Sequence, residues 1–438
     1  MVLPPRITLH KFTVPLGDNE REGLDSDGPS EATFAVKGQG TISVKPTPID
    51  TTELTIILSN NLNPNAGSVG LTVNSSKAVL WVREANTADQ KILKASAEPA
   101  HVLDAPDKNQ PYWLSFDANN KRFRYGKGEM MRINMMFEAS WASLKKDDPQ
   151  QNPLIELYKS LNQVDIRGTN DHQMECLRTA VNVTPAPHLR RPELITLENI
   201  AKNEFTVASD LPFACFQLFN NVAGPDITLD TKDFPDFSKA IQHSIVTEGA
   251  LCNMKLKKKE KDFGYLRVTL DANAGESPGA PYVCEIWPAG NGSPIHDHSK
   301  ANAVIKALHG NIKVSWFSGL AIGINEPWGH ATITKDEVTF LTPHHYQIHQ
   351  LHNDDPVEFA ATIQCYRYNA DDDIHYEYFD YINPEKKEKE HFEPDSDFDF
   401  IEFKKAIKAE WAAVPDKDKV AVAGPKTLAN GTVAPMDE

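Results

Sequence analysis

The sequence predicts a mainly β protein, in which a β-sandwich or jelly-roll-like N-terminal domain precedes a C-terminal β-barrel with flanking helices. Short runs of alternating apolar and polar residues fill two separate stretches, 6–141 and 265–368, and a period of two fits half-buried strands. Gly, Pro, Asn and Asp interrupt those runs at turn-like intervals, as hairpins require. Apolar residues at helical spacing occur only between and after these stretches.

At 438 residues the chain exceeds one ordinary domain, so two domains with connectors are expected. The predicted division is a sandwich of unknown role over 1–150, a linker with short helices over 151–232, the barrel domain over 233–385, and a charged helix with a flexible tail over 386–438. An apolar share of 40% is enough for ordinary cores, and a mean hydropathy of -0.44 is that of a soluble chain.

Lys and Arg number 45 against 61 Asp and Glu, a net charge of -16. Binding to nucleic acid or an anionic membrane needs an excess of cations, so neither is expected as a partner. The one basic cluster, residues 255–261, reads as a solvated helix end or loop. No stretch approaches the roughly 18 to 20 apolar residues that cross a bilayer, and the N-terminus lacks the apolar core of a secretory signal. The five cysteines are scattered, with no C-x-x-C pair, which points away from a disulfide framework or zinc finger and toward a reducing, cytoplasmic setting. Oligomeric state is not legible.

Along the first stretch, ELTIIL (53–58), VLWV (79–82) and WLSF (113–116) are strand-like. Asn119-Asn120 between WLSF and RFRY predicts a hairpin, because Asn tolerates positive φ. Trp81, Tyr112, Trp113 and Tyr125 fit either a ligand-stacking surface or the core, and the core reading is preferred. A Pro- and Asp-rich break at 145–153 is followed by a short helix with Leu154, Leu157, Tyr158 and Leu161 on one face. Residues 184–192, rich in Pro, His and Arg, predict a linker or exposed loop. A second helix is predicted over 234–248, with Pro235 near its start and Phe237, Ile241 and Ile245 on one face. The barrel candidate spans 265–368. A charged run then leads to a final helix carrying Phe400, Phe403, Ile407 and Trp411, and the chain from about Val414 is expected to be flexible.

The chemistry concentrates in WPAGNGSPIHDHSKANAVIKALHGNIKV, residues 287–314. His296 and His298 are two apart, so on an extended strand both imidazoles leave one face. An isolated H-x-H is more often a surface pair, but glycines bracketing a strand pattern favour half of a metal site. A third donor must come from elsewhere. His349, in YQIHQL, is strand-like, whereas its rivals His344 and His345 follow Pro343 in a turn.

Gly290, His296, His298 and Gly310 match the first cupin motif, G-x5-H-x-H with a later glycine, so the predicted barrel is a cupin β-barrel. More narrowly, Trp287, Gly292, Ser293, Ile295, His296, Asp297 and His298, followed by Gly310, Asn311 and Lys313, resemble the cysteine dioxygenase family of thiol dioxygenases. The resemblance covers residues 239–368, under a third of the chain. It implies a mononuclear Fe(II) held by His296, His298 and His349, with a small thiol, cysteine or a close analogue, and dioxygen as substrates and a sulfinic acid as product. It further implies that Arg267 pairs with the substrate carboxylate, that Tyr265 lines the same pocket, and that the Tyr366 hydroxyl points at substrate and dioxygen. Gln364 falls at a pocket position where the family has a histidine.

Two departures bear on the chemistry. Many cupins carry a glutamate ligand at the position of Ala303, and animal cysteine dioxygenases carry there a cysteine cross-linked to the tyrosine. Alanine can be neither, and Cys365 is no substitute because neighbouring strand residues face opposite ways. The family's Ser-x-His-x-Tyr series reads Thr362, Gln364, Tyr366, and Gln orients a hydroxyl without carrying a proton. Two alternatives stay open: a cupin dioxygenase for a different thiol or a non-thiol substrate, and a non-catalytic, metal-containing, two-domain ligand-binding protein.

Overall fold

The computed structural model describes residues 30–34, 36–46, 51–61, 63, 65–105, 110–169, 172–259, 263–271, 281–368, 379–392 and 395–415. The predicted strands before residue 30 and the predicted flexible tail beyond 415 lie outside them. The chain divides into two compact units between Thr184 and Pro185, and both are built mainly of strands.

The first unit is a sandwich of two antiparallel sheets. One orders the strands Ser30–Thr33, Gln163–Arg167, Glu53–Ser59, Ser68–Asn74, Ala78–Arg83 and Gln90–Ser96. The other orders His172–Leu177, Gln39–Pro46, Tyr112–Asp117, Arg122–Lys127 and Met135–Ser140. The alternation seen in the sequence is the cause: in Glu53–Ser59, Leu54, Ile56 and Leu58 are fully buried while their neighbours reach solvent. One core takes Ile56, Leu71 and Leu80 from the first sheet and Val44, Leu114 and Phe123 from the second.

The sandwich does not stop at residue 150. The helix Asn152–Ser160 buries Ile155, Leu157 and Tyr158, and two strands inside the predicted linker, Gln163–Arg167 and His172–Leu177, join one sheet each. Both pair with strands over a hundred residues earlier, a partnership that local pattern cannot reveal. The predicted hairpin between WLSF and RFRY forms. Its left-handed residue is Lys121, at φ 56, and Asn120 instead donates its amide to Asp117 Oδ1 at 3.0 Å.

The four aromatics singled out in the sequence are all buried. Trp81 lies opposite Gly70, and Trp113 opposite Gly126. A Cβ added at either glycine would stand 2.0 Å from the facing indole, so the rings cover backbone that has no side chain of its own.

Among the described residues the second unit is built of three sheets with flanking helices. Its large sheet runs in the order Thr206–Val207, His188–Arg190, Val338–Leu341, Asn302–His309, Ala360–Arg367, Tyr282–Trp287, Leu266–Asp271, Phe398–Asp399. A smaller sheet orders Gly329–Thr334, Asn311–Trp316 and His349–His352, and a hairpin joins Phe379–Asn383 to Glu388–Phe392. Asn302–His309 is buried along its whole length and Ala360–Arg367 along nearly all of it, because these central strands are covered on both faces. The loop predicted over 184–192 contains a short strand, His188–Arg190, paired on one side with Val338–Leu341 and on the other with Thr206–Val207. Pro185 and Pro187, which have no amide to donate, fall just before it. The helices Phe237–Val246 and Phe400–Ala413 pack against each other through Phe237, 6.0 Å from Phe403 between ring centroids. Asp399 caps the second of them, accepting from the Ile401 and Glu402 amides.

All five cysteines are free and buried. Among the described residues no helix is long and apolar enough to cross a membrane.

The glycine covers give a stability test. Gly126→Ala would push a methyl into the Trp113 ring and within 2.5 Å of the Asn134 carbonyl, an overpacking that costs about 1–3 kcal/mol. Denaturant unfolding followed by far-ultraviolet dichroism should show a lower midpoint, and a wild-type midpoint would contradict the contact.

Candidate metal centre

His296 and His298 lie in an extended segment rather than in a regular strand. His296 forms isolated bridges to His349 and to Tyr381, and its amide and carbonyl exchange hydrogen bonds with those of His349 at 3.0 and 3.1 Å. Ser299 and Lys300 follow with φ of 49 and 65, reversing the chain directly after the second histidine. Asp297 points away and holds this turn, its Oδ1 accepting from the Ser299 amide at 3.2 Å and the Asp380 amide at 3.4 Å. The third histidine, His349, opens a strand that pairs with Asn311–Trp316.

The three imidazoles converge. Ring centroids are 4.9 Å apart for His296 and His298, 4.8 Å for His296 and His349, and 4.9 Å for His298 and His349. Their candidate ligand atoms all fall within 4.8 Å of one another, and all three residues are buried. The rival His345 instead engages Thr342 Oγ1 through Nδ1 at 3.0 Å.

Neighbouring carbonyls set the tautomers. His296 Nδ1 donates to Pro294 O and His349 Nδ1 to Tyr346 O, each at 3.0 Å, which leaves Nε2 of both rings with the lone pair. Tyr346, whose carbonyl meets His349, has φ 65, a left-handed conformation costly for a bulky residue. Its ring is held by Trp316, Trp328 and Phe340. Burial pushes His296 down to about 4 and His349, with His296 beside it, to about 3. Burial and the two other rings hold His298 well below its ordinary value. The rings are therefore neutral at physiological pH, the form that binds metal.

This donor set fits a transition metal. His298 Nε2 stands 3.3 Å from His349 Nε2, so ring nitrogens carrying lone pairs are gathered at one buried point, and His298 Nδ1 has no hydrogen-bond partner among the described residues. A cation shared by the three rings answers the crowding of nitrogens at that point. Ala303 is fully buried and directly opposite Tyr366, so the position of a fourth ligand or a cross-linking cysteine holds a methyl group. Cys365 pairs with Val304 and Tyr282 on the other face, with its sulfur toward Leu218 O and Val304 O.

The pocket beside the imidazoles brings together Tyr265, Arg267, Gln364 and Tyr366. Strand register puts them on one face, with Arg267 opposite Glu285, Glu285 opposite Thr362, and Gln364 and Tyr366 two and four positions along from Thr362. Tyr366 stacks 5.4 Å from the His298 ring, and Tyr265 stacks 4.3 Å from Trp287. Burial first, then the charge of Glu285, pushes the Tyr366 hydroxyl well above its ordinary value, so it stays a donor. It donates to Gln364 Oε1, and Gln364 Nε2 donates to Glu285 Oε2. Arg267 Nη1 donates to Glu285 Oε1 at 2.9 Å.

The sequence reading missed three contributors. Glu285 lies in YVCEIW, where a lone charge in an apolar run was the available signal. Phe379 and Phe392 also line the pocket. Phe392 comes from the charged segment after Tyr381, where a hairpin forms and turns its ring to 6.1 Å from His296.

No family model matches the chain. Among solved structures it is similar to an oxalate oxidase in complex with the substrate analogue glycolate, at 16% identity over 25% of this chain and 53% of that one, TM-score 0.20. It is also similar to a Cupin_2 domain of an XRE-family transcriptional regulator from Enterobacter cloacae, at 11% identity over 24% of this chain and 97% of that one, TM-score 0.20. A third likeness is to sheep galectin-11 in complex with glycerol, at 10% identity over 35% of this chain and 100% of that one, TM-score 0.24. The chain spans about half the length of the oxalate oxidase it matches.

If the three histidines are the ligands, replacing any one with Ala should remove most of the bound metal, measured by elemental analysis of purified protein. Stoichiometric metal in His349→Ala would transfer the third role to His344 or His345.

Proposed function

We propose that His296, His298 and His349 hold Fe(II), and that the centre oxidises a small thiol, cysteine or a close analogue, with dioxygen to its sulfinic acid. The observation that carries this reading is the clustering of three buried, neutral imidazoles with a tyrosine kept protonated beside them. Bound by these side chains, Fe(II) supplies the acidity that keeps a thiol ionised and the redox chemistry by which RSH and O2 become RSO2H.

The imidazoles bring no charge of their own, so an incoming thiolate meets no ligand carboxylate competing for the same cation. Tyr366 supplies a hydroxyl proton at the pocket wall, and Gln364 aims it by accepting at Oε1. Swung from Gln364 toward the reacting group, the same proton would make a hydrogen bond that is worth most in a site closed to water. Tyr265 stacked on Trp287, with Phe379 and Phe392 across the pocket, provides the closure. Arg267 and Glu285 anchor the far end of the same polar row. As an oxidoreductase of this kind the protein needs a small-molecule thiol and dioxygen and no macromolecular partner.

The test is metal content together with oxygen uptake on a panel of small thiols, with mass spectrometry for a product that has gained two oxygen atoms. Tyr366→Phe should keep its iron and its KM while losing on the order of tenfold to a hundredfold in kcat, the scale for removing one aligned donor. Unchanged turnover in that variant would remove Tyr366 from the chemistry, and an absence of oxygen uptake with every thiol would remove the reaction.

A further inference from the structure

Glu285 is the ionisable group that the proposed reaction does not consume, and its placement is unusual. It sits inside the apolar strand Tyr282–Trp287, is 4% exposed, and faces the pocket. A buried carboxylate is tolerated only when paired and hydrogen-bonded, and Arg267 and Gln364 satisfy its two oxygens. The pairing also answers the guanidinium: the positive charge that a substrate carboxylate would seek is matched from within the protein. A second carboxylate at Arg267 would stand close to Glu285 in a pocket that excludes water, where like charges repel strongly. The surrounding wall works in the same direction. Phe263, Trp287, Phe379 and Phe392 are aromatic, and ring faces attract an ammonium and disfavour an anion.

We infer that Glu285 sets the charge class of the substrate, so that the pocket accepts a small aminothiol without a carboxylate and turns away thiols that carry one. This rests on the proposed thiol oxidation and narrows its substrate. Arg267 is then a positioning residue: its charge and hydrogen bond oppose the rise that burial imposes on Glu285 and hold the carboxyl in place, and the resident carboxylate takes the position that a substrate carboxylate would otherwise occupy.

The experiment is anaerobic calorimetric titration of the Fe(II)-loaded full chain with cysteamine, 3-mercaptopropionate and cysteine, which reads binding without turnover. Wild type should bind cysteamine about tenfold or more tighter than 3-mercaptopropionate, with cysteine weaker than cysteamine. Glu285→Gln keeps the shape, removes the charge and releases Arg267, so 3-mercaptopropionate should gain about ten- to a hundredfold, the scale of one charge-assisted pair, and the order should reverse. Wild-type binding of either carboxylate thiol as tight as cysteamine overturns the inference, and so does an unchanged order in Glu285→Gln. In both cases oxygen uptake with those thiols would leave the oxidation reading standing. If Glu285→Gln does not fold, the doubly neutral Arg267→Gln/Glu285→Gln variant should lose the discrimination, and retained discrimination overturns the inference. Absence of both thiol binding and oxygen uptake overturns the oxidation reading, and the inference with it.

Discussion

Two backbone hydrogen bonds tie His296 to His349, amide to carbonyl in each direction at 3.0 and 3.1 Å, and the rest of the centre depends on them. The segment carrying His296 and His298 is not part of a regular ladder, and a second backbone pair, from the Asp297 amide to Asp380 O at 2.9 Å and from the Ile382 amide to Ile295 O at 3.0 Å, holds it from the other side. Once the bridge forms, alternation along an extended backbone sends both imidazoles to one side, and the third enters from the strand that closes the bridge. The turn at Ser299 and Lys300, the Asp297 hydrogen bonds behind it and the left-handed Tyr346 all serve that register. The local cost is borne by Tyr346, whose ring is packed among Trp316, Trp328 and Phe340. Strain of this kind persists where the surroundings over-determine it.

Beside the imidazoles runs a polar row across three adjacent strands, Arg267, Glu285, Gln364 and Tyr366. Each member is buried, so each link is electrostatically strong and each loss would strand a partner. Removing one side of the Arg267–Glu285 pair would leave an uncompensated buried charge, which costs about 3–5 kcal/mol in comparable settings. The row thus serves both stability and chemistry, and a variant must be judged on both. Substitutions that conserve shape, such as Glu to Gln, separate the two roles better than truncation to Ala.

Much of this was legible in the sequence where the signal is local. H-x-H between glycines and a strand-like context for His349 pick out the three histidines that cluster, and helical spacing locates the helices carrying Phe237 and Phe403. What could not be read depends on pairing at long range. Gln163–Arg167 and His172–Leu177 look like linker until their partners, over a hundred residues earlier, supply the ladder. Glu285 reads as a blemish in an apolar strand until the register sets Arg267 across from it. Phe392 is hidden in a run of charges, because the hairpin that turns it toward His296 is short and its exposed residues dominate the composition. For the tryptophans of the sandwich the core reading preferred from the sequence agrees with the structure, where Trp81 and Trp113 are buried over Gly70 and Gly126.

The amide in the middle of the polar row decides what the row can transmit. An imidazole there could take a proton on one nitrogen and release it from the other, linking the tyrosine to the buried carboxylate. Gln364 accepts from Tyr366 at one atom and donates to Glu285 at another, and its amide does not exchange those roles at neutral pH. The row therefore passes orientation and field from Glu285 to Tyr366 without passing a proton. Tyr366 is left with its own proton and no relay to replace it through this path, which suits a reaction in which the hydroxyl stabilises by hydrogen bonding and the net proton balance is carried by the thiol itself. Burial raises the Glu285 carboxyl above its ordinary range, and the Arg267 charge with the hydrogen bonds from Arg267 and Gln364 works against that rise.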